Sequence, residues 1–161
     1  MSENDHDAIR RIFEKVNRLL YESTDTGKFV TAFYGVLDVK NRVFTFSNAG
    51  HNPPLLLRAN GTAEWLTEGG LALGILTDAT YEERPVPLAT GDVLVLYTDG
   101  VTEASNATGE QYGVKRLEEL VRARAQEPAR ALVEAIREEV EAFTGDLHLD
   151  DDLTLVVARL V

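Results

Sequence analysis

The chain has 161 residues, of which 44% are hydrophobic and 27% are charged, values that predict one soluble globular domain with a sizeable core. Its net charge of −11 argues against a nucleic-acid partner, because affinity for a phosphate backbone comes from Lys and Arg. The absence of cysteine excludes disulfides, thiolate metal sites and cysteine catalysis. No apolar stretch is long enough to span a bilayer and the N-terminus lacks a signal-peptide pattern, so we expect no membrane partner.

The chain begins with a predicted helix and a predicted hairpin. Apolar residues three and four positions apart indicate an amphipathic helix from Ala8 to about Tyr21, capped by Asp5 or Ser2. Runs of β-forming residues at 29–39 and 42–47, joined by a turn, predict two paired strands.

The middle of the chain predicts further strands separated by loops. A rigid loop at 48–54 leads into a second hairpin at 55–66, in which Asn60-Gly61 is typical of a type I′ turn. Gly69-Gly70 then opens a flexible stretch. Residues 81–88 predict an edge strand, because each of its two prolines lacks an N–H for the ladder.

The second half predicts a buried strand, two helices and a last strand. The apolar run 92–98 is the buried strand, and residues 114–121 form the first of these helices. Pro128 opens the next helix, which Thr144-Gly145 ends, and residues 153–160 form the final strand. This order of segregated strands and helices predicts an α+β fold with antiparallel pairing.

Two of these strands have acidic ends. Asp99-Gly100 ends the run at 92–98, and Asp150-Asp151-Asp152 leads directly into the last strand. Carboxylates on two neighbouring strand ends repel each other unless they are protonated or bridged by a metal ion, so the pattern indicates a site for a hard cation. In this interpretation Gly100 lets the chain turn sharply after Asp99. The alternatives are that Asp99-Gly100 is only a turn and that the three aspartates are a solvated acidic turn.

Five motifs in a fixed order carry a resemblance to a known family. They are Asn-Ala-Gly-His-Asn-Pro-Pro at 48–54, Leu-Gly-Ile at 73–75, Gly-Asp with Leu-Tyr-Thr-Asp-Gly-Val-Thr-Glu-Ala at 91–104, Gly-Glu with Tyr-Gly at 109–113, and Asp-Asp-Leu-Thr at 151–154. Together they resemble the SpoIIE/RsbU class of bacterial metal-dependent serine/threonine phosphatases, the prokaryotic branch of the type 2C (PPM) family. The resemblance runs from about Ile9 to the C-terminus.

The resemblance implies a fold and a chemistry. The fold is an antiparallel β-sandwich flanked by helices (αββα), and the reaction is hydrolysis of phosphoserine or phosphothreonine by a water activated between two Mn²⁺ or Mg²⁺ ions. By position, Asp99 and Asp151 resemble metal ligands, Gly100 supplies the close turn beside the metal, and Asp152 is structural or supports a ligand. The implied partner is a phosphorylated STAS-domain antagonist of an anti-sigma factor in cytoplasmic stress or sporulation signalling.

One departure from the family pattern bears on activity. Two earlier family motifs, a Gly-Gly-Asp-Phe/Tyr-Tyr-Asp strand and an Asp-Val-x-Gly-x-Gly turn, are absent, although they carry the aspartate that bridges the metals. Residues 1–161 therefore resemble the C-terminal two-thirds of a single, N-terminally incomplete phosphatase domain. We expect weak or no activity from this chain alone, and uncovered sheet edges that favour a homodimer or strand exchange.

His51 is the candidate catalytic residue outside the acidic ends. It could contact phosphate or donate a proton to the leaving oxygen, and the alternative is a histidine whose ring nitrogens tie down its loop. Glu103 could bind a metal-bound water or extend a solvated turn, and Asn106 and Glu110 belong to a polar, exposed loop.

Three functions remain open from the sequence. The first is the metal-dependent phosphatase. The second is a catalytically inactive pseudo-phosphatase that binds a signalling partner, and the third is an acidic Ca²⁺ or Mg²⁺ module, for which no EF-hand loop is present.

Overall fold

The computed structural model describes residues 8–24, 27–145 and 152–161. The chain divides into two compact units: Met1–Pro53 with Leu66–Leu88, and Pro54–Trp65 with Ala89–Val161. The helices are α1 (Ala8–Ser23), α2 (Asp99–Thr102), α3 (Gly113–Ala123) and α4 (Ala129–Thr144). The strands are β1 (Ala32–Asp38), β2 (Val43–Ala49), β3 (Leu55–Leu57), β4 (Ala63–Trp65), β5 (Gly69–Gly70), β6 (Arg84–Pro87), β7 (Val93–Tyr97) and β8 (Leu155–Arg159). The predicted α+β class is confirmed. None of the described helices is both long and apolar enough to cross a membrane.

The sheet of the first unit is built around β2. Strand β1 pairs with it antiparallel, with Gly35 opposite Phe46, which confirms the first hairpin. β6 also pairs with β2 antiparallel, and two-residue β5 pairs with it parallel, so the sheet is not purely antiparallel. Asn48 and Ala49, predicted as loop, are the last residues of β2.

The glycine pair at 69–70 is a strand rather than a flexible stretch. Gly69 lies against the backbone of Asn48, where a Cβ would stand 1.9 Å from the Asn48 carbonyl oxygen. Its backbone angle φ is 158°, a value that residues with a side chain rarely adopt, and Asn48 N–H donates to the carbonyl of Glu68. Glycine is required here because only a residue without a side chain lets the two backbones approach so closely.

The two outer strands of this sheet have different free edges. Directly after β6, the Leu88 N–H donates to the carbonyl of Arg42. Backbone nitrogens point alternately toward and away from the neighbouring strand, so those of Pro85 and Pro87 point away from β2. Those outward positions have no N–H to offer another strand, as the sequence predicts. β1 pairs with β2 alone among the described strands, and its Val36 and Leu37 are about half exposed.

Helix α1 packs on the first unit through Ile9 and Phe13, which are buried. The ring of Phe13 meets that of Tyr81 edge-on at 5.4 Å. At the start of the helix, the N–H groups of Ile9 and Arg10 donate to Glu83 Oε2 at 3.0 and 3.1 Å. A carboxylate at this end satisfies otherwise unpaired donors and opposes the positive end of the helix dipole. The predicted caps, Asp5 and Ser2, lie outside the described residues.

Asn17 of α1 is fully buried and polar. Its Nδ2 donates to the carbonyls of Leu76 (2.8 Å) and Thr77 (3.4 Å), and its Oδ1 accepts the N–H of Gly74 (2.8 Å). Gly74 has a positive φ of 90°, a conformation that glycine adopts without strain. One amide side chain therefore holds the Leu-Gly-Ile motif and the residues after it against the helix.

The second unit has one antiparallel sheet and the remaining helices. Its strand order is β4–β3–β7–β8, and α3 and α4 contribute to the same core. The largest fully buried side chains of this core include Leu55, Leu117, Leu132 and Ile136. Trp65 lies on β4 opposite Leu55 of β3, and its ring meets that of Tyr97 edge-on at 6.4 Å.

The turn of the second hairpin differs from the prediction. Arg58 N–H donates to the carbonyl of Thr62, and Gly61 N–H donates to the carbonyl of Arg58, so three residues rather than two form the loop. Only Gly61, with φ of 86°, has a positive φ, whereas a type I′ turn requires it at both central residues. The type I′ prediction is wrong, and the loop is the type I turn with a glycine bulge that commonly joins strands at this length.

Candidate active site

The two acidic strand ends are neighbours, as predicted. β7 and β8 pair antiparallel with Tyr97 opposite Leu155, so the residues after β7 and those before β8 lie at the same edge of the sheet. Asp99 follows β7 and Asp152 precedes β8, and both are exposed. Asp151, the second candidate ligand, lies outside the described residues.

Asp99 begins the short helix α2 rather than a sharp turn. Its Oδ1 accepts the N–H of Gly100 at 3.0 Å, and its carbonyl accepts the N–H of Glu103 at 2.7 Å. Gly100 is buried and has no positive φ, so the chain changes direction here through the first turn of α2, in which the Val101 N–H donates to the Thr98 carbonyl at 3.0 Å. The helical turn instead fixes the backbone of Asp99 and leaves its carboxylate accessible.

The donor set at this edge is incomplete within the described ranges. Across residues 8–24, 27–145 and 152–161, no group of three or more His, Asp or Glu side chains is placed to hold a metal ion. Asp99 is a hard, exposed oxygen donor of the kind that Mn²⁺ and Mg²⁺ accept, and Asp152 stands on the neighbouring strand end. A divalent-cation site at this edge would therefore need further ligands besides Asp99, and the candidate Asp151 lies outside the described residues.

His51 lies in the first unit, directly after β2. Its N–H donates to Asn48 Oδ1 at 2.8 Å, and Asn48 Nδ2 donates to the His51 carbonyl at 2.9 Å. The ring Nδ1 lies 3.3 Å from Thr31 Oγ1, at the surface. The loop is thus fastened mainly by the buried side chain of Asn48, and the His51 ring is half-buried.

The polar loop after α2 is organised by one amide. Asn106 Oδ1 accepts the N–H groups of Thr108 and Glu110, both at 3.0 Å, and the Thr108 hydroxyl at 2.7 Å. Arg116 donates to the Glu110 carboxylate and lowers the pKa of that exposed group. Because Asn106 Oδ1 accepts three hydrogen bonds from within the loop, Asn106 has a structural role there. Glu103 is exposed, as in a solvated turn.

The sequence interpretation gave no role to Asp92, which anchors the start of β7. The side chain is buried and accepts three donors: Ala59 N–H at 2.9 Å, Ala89 N–H at 3.0 Å and Arg58 Nη1 at 3.0 Å. Arg58 also donates to Glu64 at 2.8 Å. The Asp92 carboxylate therefore ties the second hairpin to the strand that leads to Asp99.

The fold places the chain in a class of proteins. The type 2C phosphatase (PP2C) domain of SiaA from Pseudomonas aeruginosa superposes with a TM-score of 0.82 at 21% identity, over 94% of this chain and 61% of that one. The phosphatase domain of SpoIIE from Bacillus subtilis, solved after a presoak with Mn, gives 0.68 at 18% identity, over 99% and 67%. At these identities the two structures show a shared fold, that of type 2C phosphatase domains.

The particular family follows from the sequence comparison. The family described as Stage II sporulation protein E (SpoIIE) matches residues 1–161, and the chain belongs to it. The chain is 31% identical over 153 residues to phosphoserine phosphatase RsbU from Bacillus subtilis, covering 92% of this chain. It is 32% identical over 138 residues to protein IcfG from Synechocystis, covering 86%. It spans only 44% of RsbU and 22% of IcfG.

Proposed function

We propose that this chain carries the metal-dependent phosphatase chemistry of its family and hydrolyses phosphoserine or phosphothreonine on a regulatory protein, with weak activity when residues 1–161 act alone. The observation that carries the proposal is the pairing of β7 with β8, which puts the exposed residues Asp99 and Asp152 at neighbouring strand ends. Family membership and the name of RsbU, a phosphoserine phosphatase, support it.

The proposed cofactor is a pair of Mn²⁺ or Mg²⁺ ions. Asp99 and Asp151 would hold them through carboxylate oxygens, with Gly100 beside Asp99 in the chain. When bound, such ions supply an activated water and neutralise the charge of the phosphoryl oxygens. The chain's own residues present the Asp99 carboxylate on a fixed helical turn.

Replacing Asp99 with alanine is expected to remove Mn²⁺-dependent hydrolysis of a phosphoserine peptide, because the variant lacks the accessible carboxylate at the end of β7. The measurement compares the unaltered chain, Asp99→Ala and the control Asp78→Ala, which removes an exposed carboxylate from the first unit. Circular dichroism must first show all three folded. Hydrolysis that persists in Asp99→Ala would contradict the role of this residue.

A catalytically inactive, partner-binding protein is the second candidate. The observation that favours it is that residues 8–24, 27–145 and 152–161 hold no group of three His, Asp or Glu side chains placed as metal ligands. The two candidates differ in one measurement. An unaltered chain that is folded and binds a phosphorylated STAS-domain protein without Mn²⁺-dependent turnover would establish the second and exclude the first.

The proposed partner is a phosphorylated STAS-domain antagonist of an anti-sigma factor, acted on in the cytoplasm. This proposal rests on the family resemblance and on the similarity to RsbU. Titration of the chain with such a phosphoprotein tests it, and absence of binding to any STAS-domain protein would contradict it.

A homodimer is the other proposed assembly, formed through the free edge of β1. Tyr34, Val36 and Leu37 are 43–49% exposed on a strand that has no proline and whose one charged residue is Asp38, at its end. In an antiparallel pairing centred on Gly35, each Tyr34 would face Val36 of the second copy, an apolar pair on one face of the sheet.

Lysine at Val36 is expected to convert a dimer into a monomer, because two charges would face the apolar positions of the opposing strand. Sedimentation velocity of the unaltered chain and of Val36→Lys measures this. The matched control is Val156→Lys on β8, which is 53% exposed in the other unit and should leave the dimer intact. A monomeric unaltered chain would rule the assembly out.

A further inference from the structure

The ring of His51 contacts a single hydrogen-bonding group. Its Nδ1 lies 3.3 Å from Thr31 Oγ1 at the surface of the first unit, and its Nε2 has no hydrogen-bond partner within residues 8–24, 27–145 and 152–161. The ring does not fasten its loop, because the Asn48 side chain, which belongs to a residue that is 3% exposed, binds both main-chain groups of His51. These contacts disfavour the interpretation of His51 as a residue whose ring nitrogens tie down the loop.

The backbone on both sides of this pair is fixed. Val30, directly before Thr31, exchanges two hydrogen bonds with the backbone of Leu73, at 2.8 and 2.9 Å. Gly50, directly before His51, has a positive φ of 70°, and a Cβ there would stand 3.0 Å from a neighbouring backbone nitrogen. A side chain on such a backbone holds its position before a ligand arrives, which lowers the ordering cost of binding.

The contact with Thr31 determines what the second ring nitrogen offers. A neutral imidazole has one N–H and one acceptor nitrogen, so a ring whose Nδ1 accepts the Thr31 hydroxyl carries its proton on Nε2. An imidazolium carries a proton on both nitrogens, and the Thr31 oxygen then accepts. In both states Nε2–H is a donor without an acceptor among the described residues. Hydrogen bonds from such a donor are stronger when the acceptor is an anionic oxygen.

We propose that His51 Nε2–H donates to the phosphate of a phosphoserine or phosphothreonine side chain on a protein, and that Thr31 is the positioning residue that holds the ring. This inference rests on the proposed function for the identity of its ligand. Family membership and the similarity to a phosphoserine phosphatase favour phosphate as the anion. The pair lies in the first unit, and the contact requires neither Asp99 nor a metal ion.

Substitutions at the two positions separate the groups involved. In His51→Gln the amide nitrogen can lie close to the place of Nε2, whereas the shorter side chain of His51→Asn reaches only the place of Nδ1. Thr31→Val removes the hydroxyl and keeps the branched outline, and Thr31→Ser keeps the hydroxyl. The matched control is Thr62→Val, because Thr62 is an exposed threonine of the other unit. All three positions are at least partly exposed, so the variants should fold, and circular dichroism checks this.

Nuclear magnetic resonance titration of the metal-free chain in EDTA measures binding of a phosphoserine peptide. The unaltered chain should bind this peptide and should not bind its unphosphorylated serine counterpart. His51→Asn should weaken binding about tenfold, the loss expected for one hydrogen bond to a charged group. His51→Gln, Thr31→Ser and Thr62→Val should stay near the unaltered chain. A glutamine variant as weak as the asparagine variant would overturn the assignment of the contact to Nε2.

A second readout tests the role of Thr31. The ¹⁵N resonances of the His51 ring report which nitrogen carries the proton, so they should change in Thr31→Val and stay unchanged in Thr31→Ser and Thr62→Val. Thr31→Val should also weaken peptide binding, by less than His51→Asn does. Unchanged ring resonances or unchanged affinity in Thr31→Val would overturn the positioning role.

Equal phosphopeptide affinity in the unaltered chain and in His51→Asn would overturn the proposal. So would an unaltered chain that binds no phosphopeptide, or that binds inorganic phosphate equally well. Failure of the proposed function has a different signature. If the peptide binds through His51 and Mn²⁺ produces no hydrolysis, the binding site stands and the phosphatase activity does not. If Mn²⁺-dependent hydrolysis occurs and His51→Asn changes neither binding nor KM, the phosphatase stands and this inference does not.

Discussion

Replacing Asp92 with alanine is expected to lower the free energy of unfolding by about 3–5 kcal/mol, the cost of breaking a buried and hydrogen-bonded ion pair. The carboxylate accepts bonds from Ala59, Ala89 and Arg58, and its side chain is 2% exposed. Alanine would leave two amide groups and one guanidinium donor without their acceptor in a buried place. Urea unfolding followed by circular dichroism measures the change.

A control variant separates the contribution of the Asp92 carboxylate from that of the ion pairs of Arg58 in general. Glu64 is the other partner of Arg58, but its side chain is 24% exposed, so Glu64→Gln should cost no more than about 1 kcal/mol. The loss of unfolding free energy in Asp92→Asn should lie between those two values. The asparagine amide keeps one acceptor oxygen, but its NH₂ group would face the donors that now bond to the second carboxylate oxygen. If Asp92→Ala and Glu64→Gln cost the same, Asp92 would not be the anchor of this unit.

Replacing Asn17 with alanine is expected to cost about 2–3 kcal/mol, because three backbone groups at the Leu-Gly-Ile motif lose their partner at a buried position. The effect should also be local. Hydrogen exchange at Gly74, whose N–H donates to Asn17 Oδ1, should accelerate more than exchange in β7 of the other unit.

Asn41 provides the matched control for Asn17. Its side chain is exposed and bonds only to Asp38 in the turn between β1 and β2, so Asn41→Ala should cost less than about 1 kcal/mol. Equal costs for the two alanine variants, or no local change at Gly74, would show that Asn17 does not hold this segment.

The elements that the sequence predicts well are those with a strong local signal. The spacing from Ile9 to Leu20 specifies α1 because burial of one face stabilises a helix with that period. The apolar run before Asp99 and the one after Asp152 are confirmed as β7 and β8, and their acidic ends meet because the two strands pair. In these places, local pattern and tertiary packing agree.

The features that sequence reasoning missed depend on distant partners. Asn17 bonds to residues 57 to 60 positions away, so its role is invisible to a local pattern, although its place four residues after Phe13 puts it on the buried face. Asp92 and Asp99 each adjoin a glycine and look alike in sequence, yet one is buried by Arg58 and the other is exposed. β5 forms because Asn48 lies beside Gly69, which no strand propensity indicates.

In the sheet of the first unit, the edge of β1 has backbone N–H groups that can pair with another strand, whereas β6 carries Pro85 and Pro87. This difference bears on how many copies of the chain could assemble through the sheet. In a dimer formed through β1, the two copies pair the same strand, because a two-fold contact uses the same surface of each copy. The β1 edge of each copy is then no longer available to another strand. The sheet would then end on each side in β6 and the two-residue strand β5, and at β6 Pro85 and Pro87 have no N–H to donate to a further strand. Addition of a third copy along β6 would therefore lack two of the hydrogen bonds of a full ladder, which favours assembly that stops at two copies.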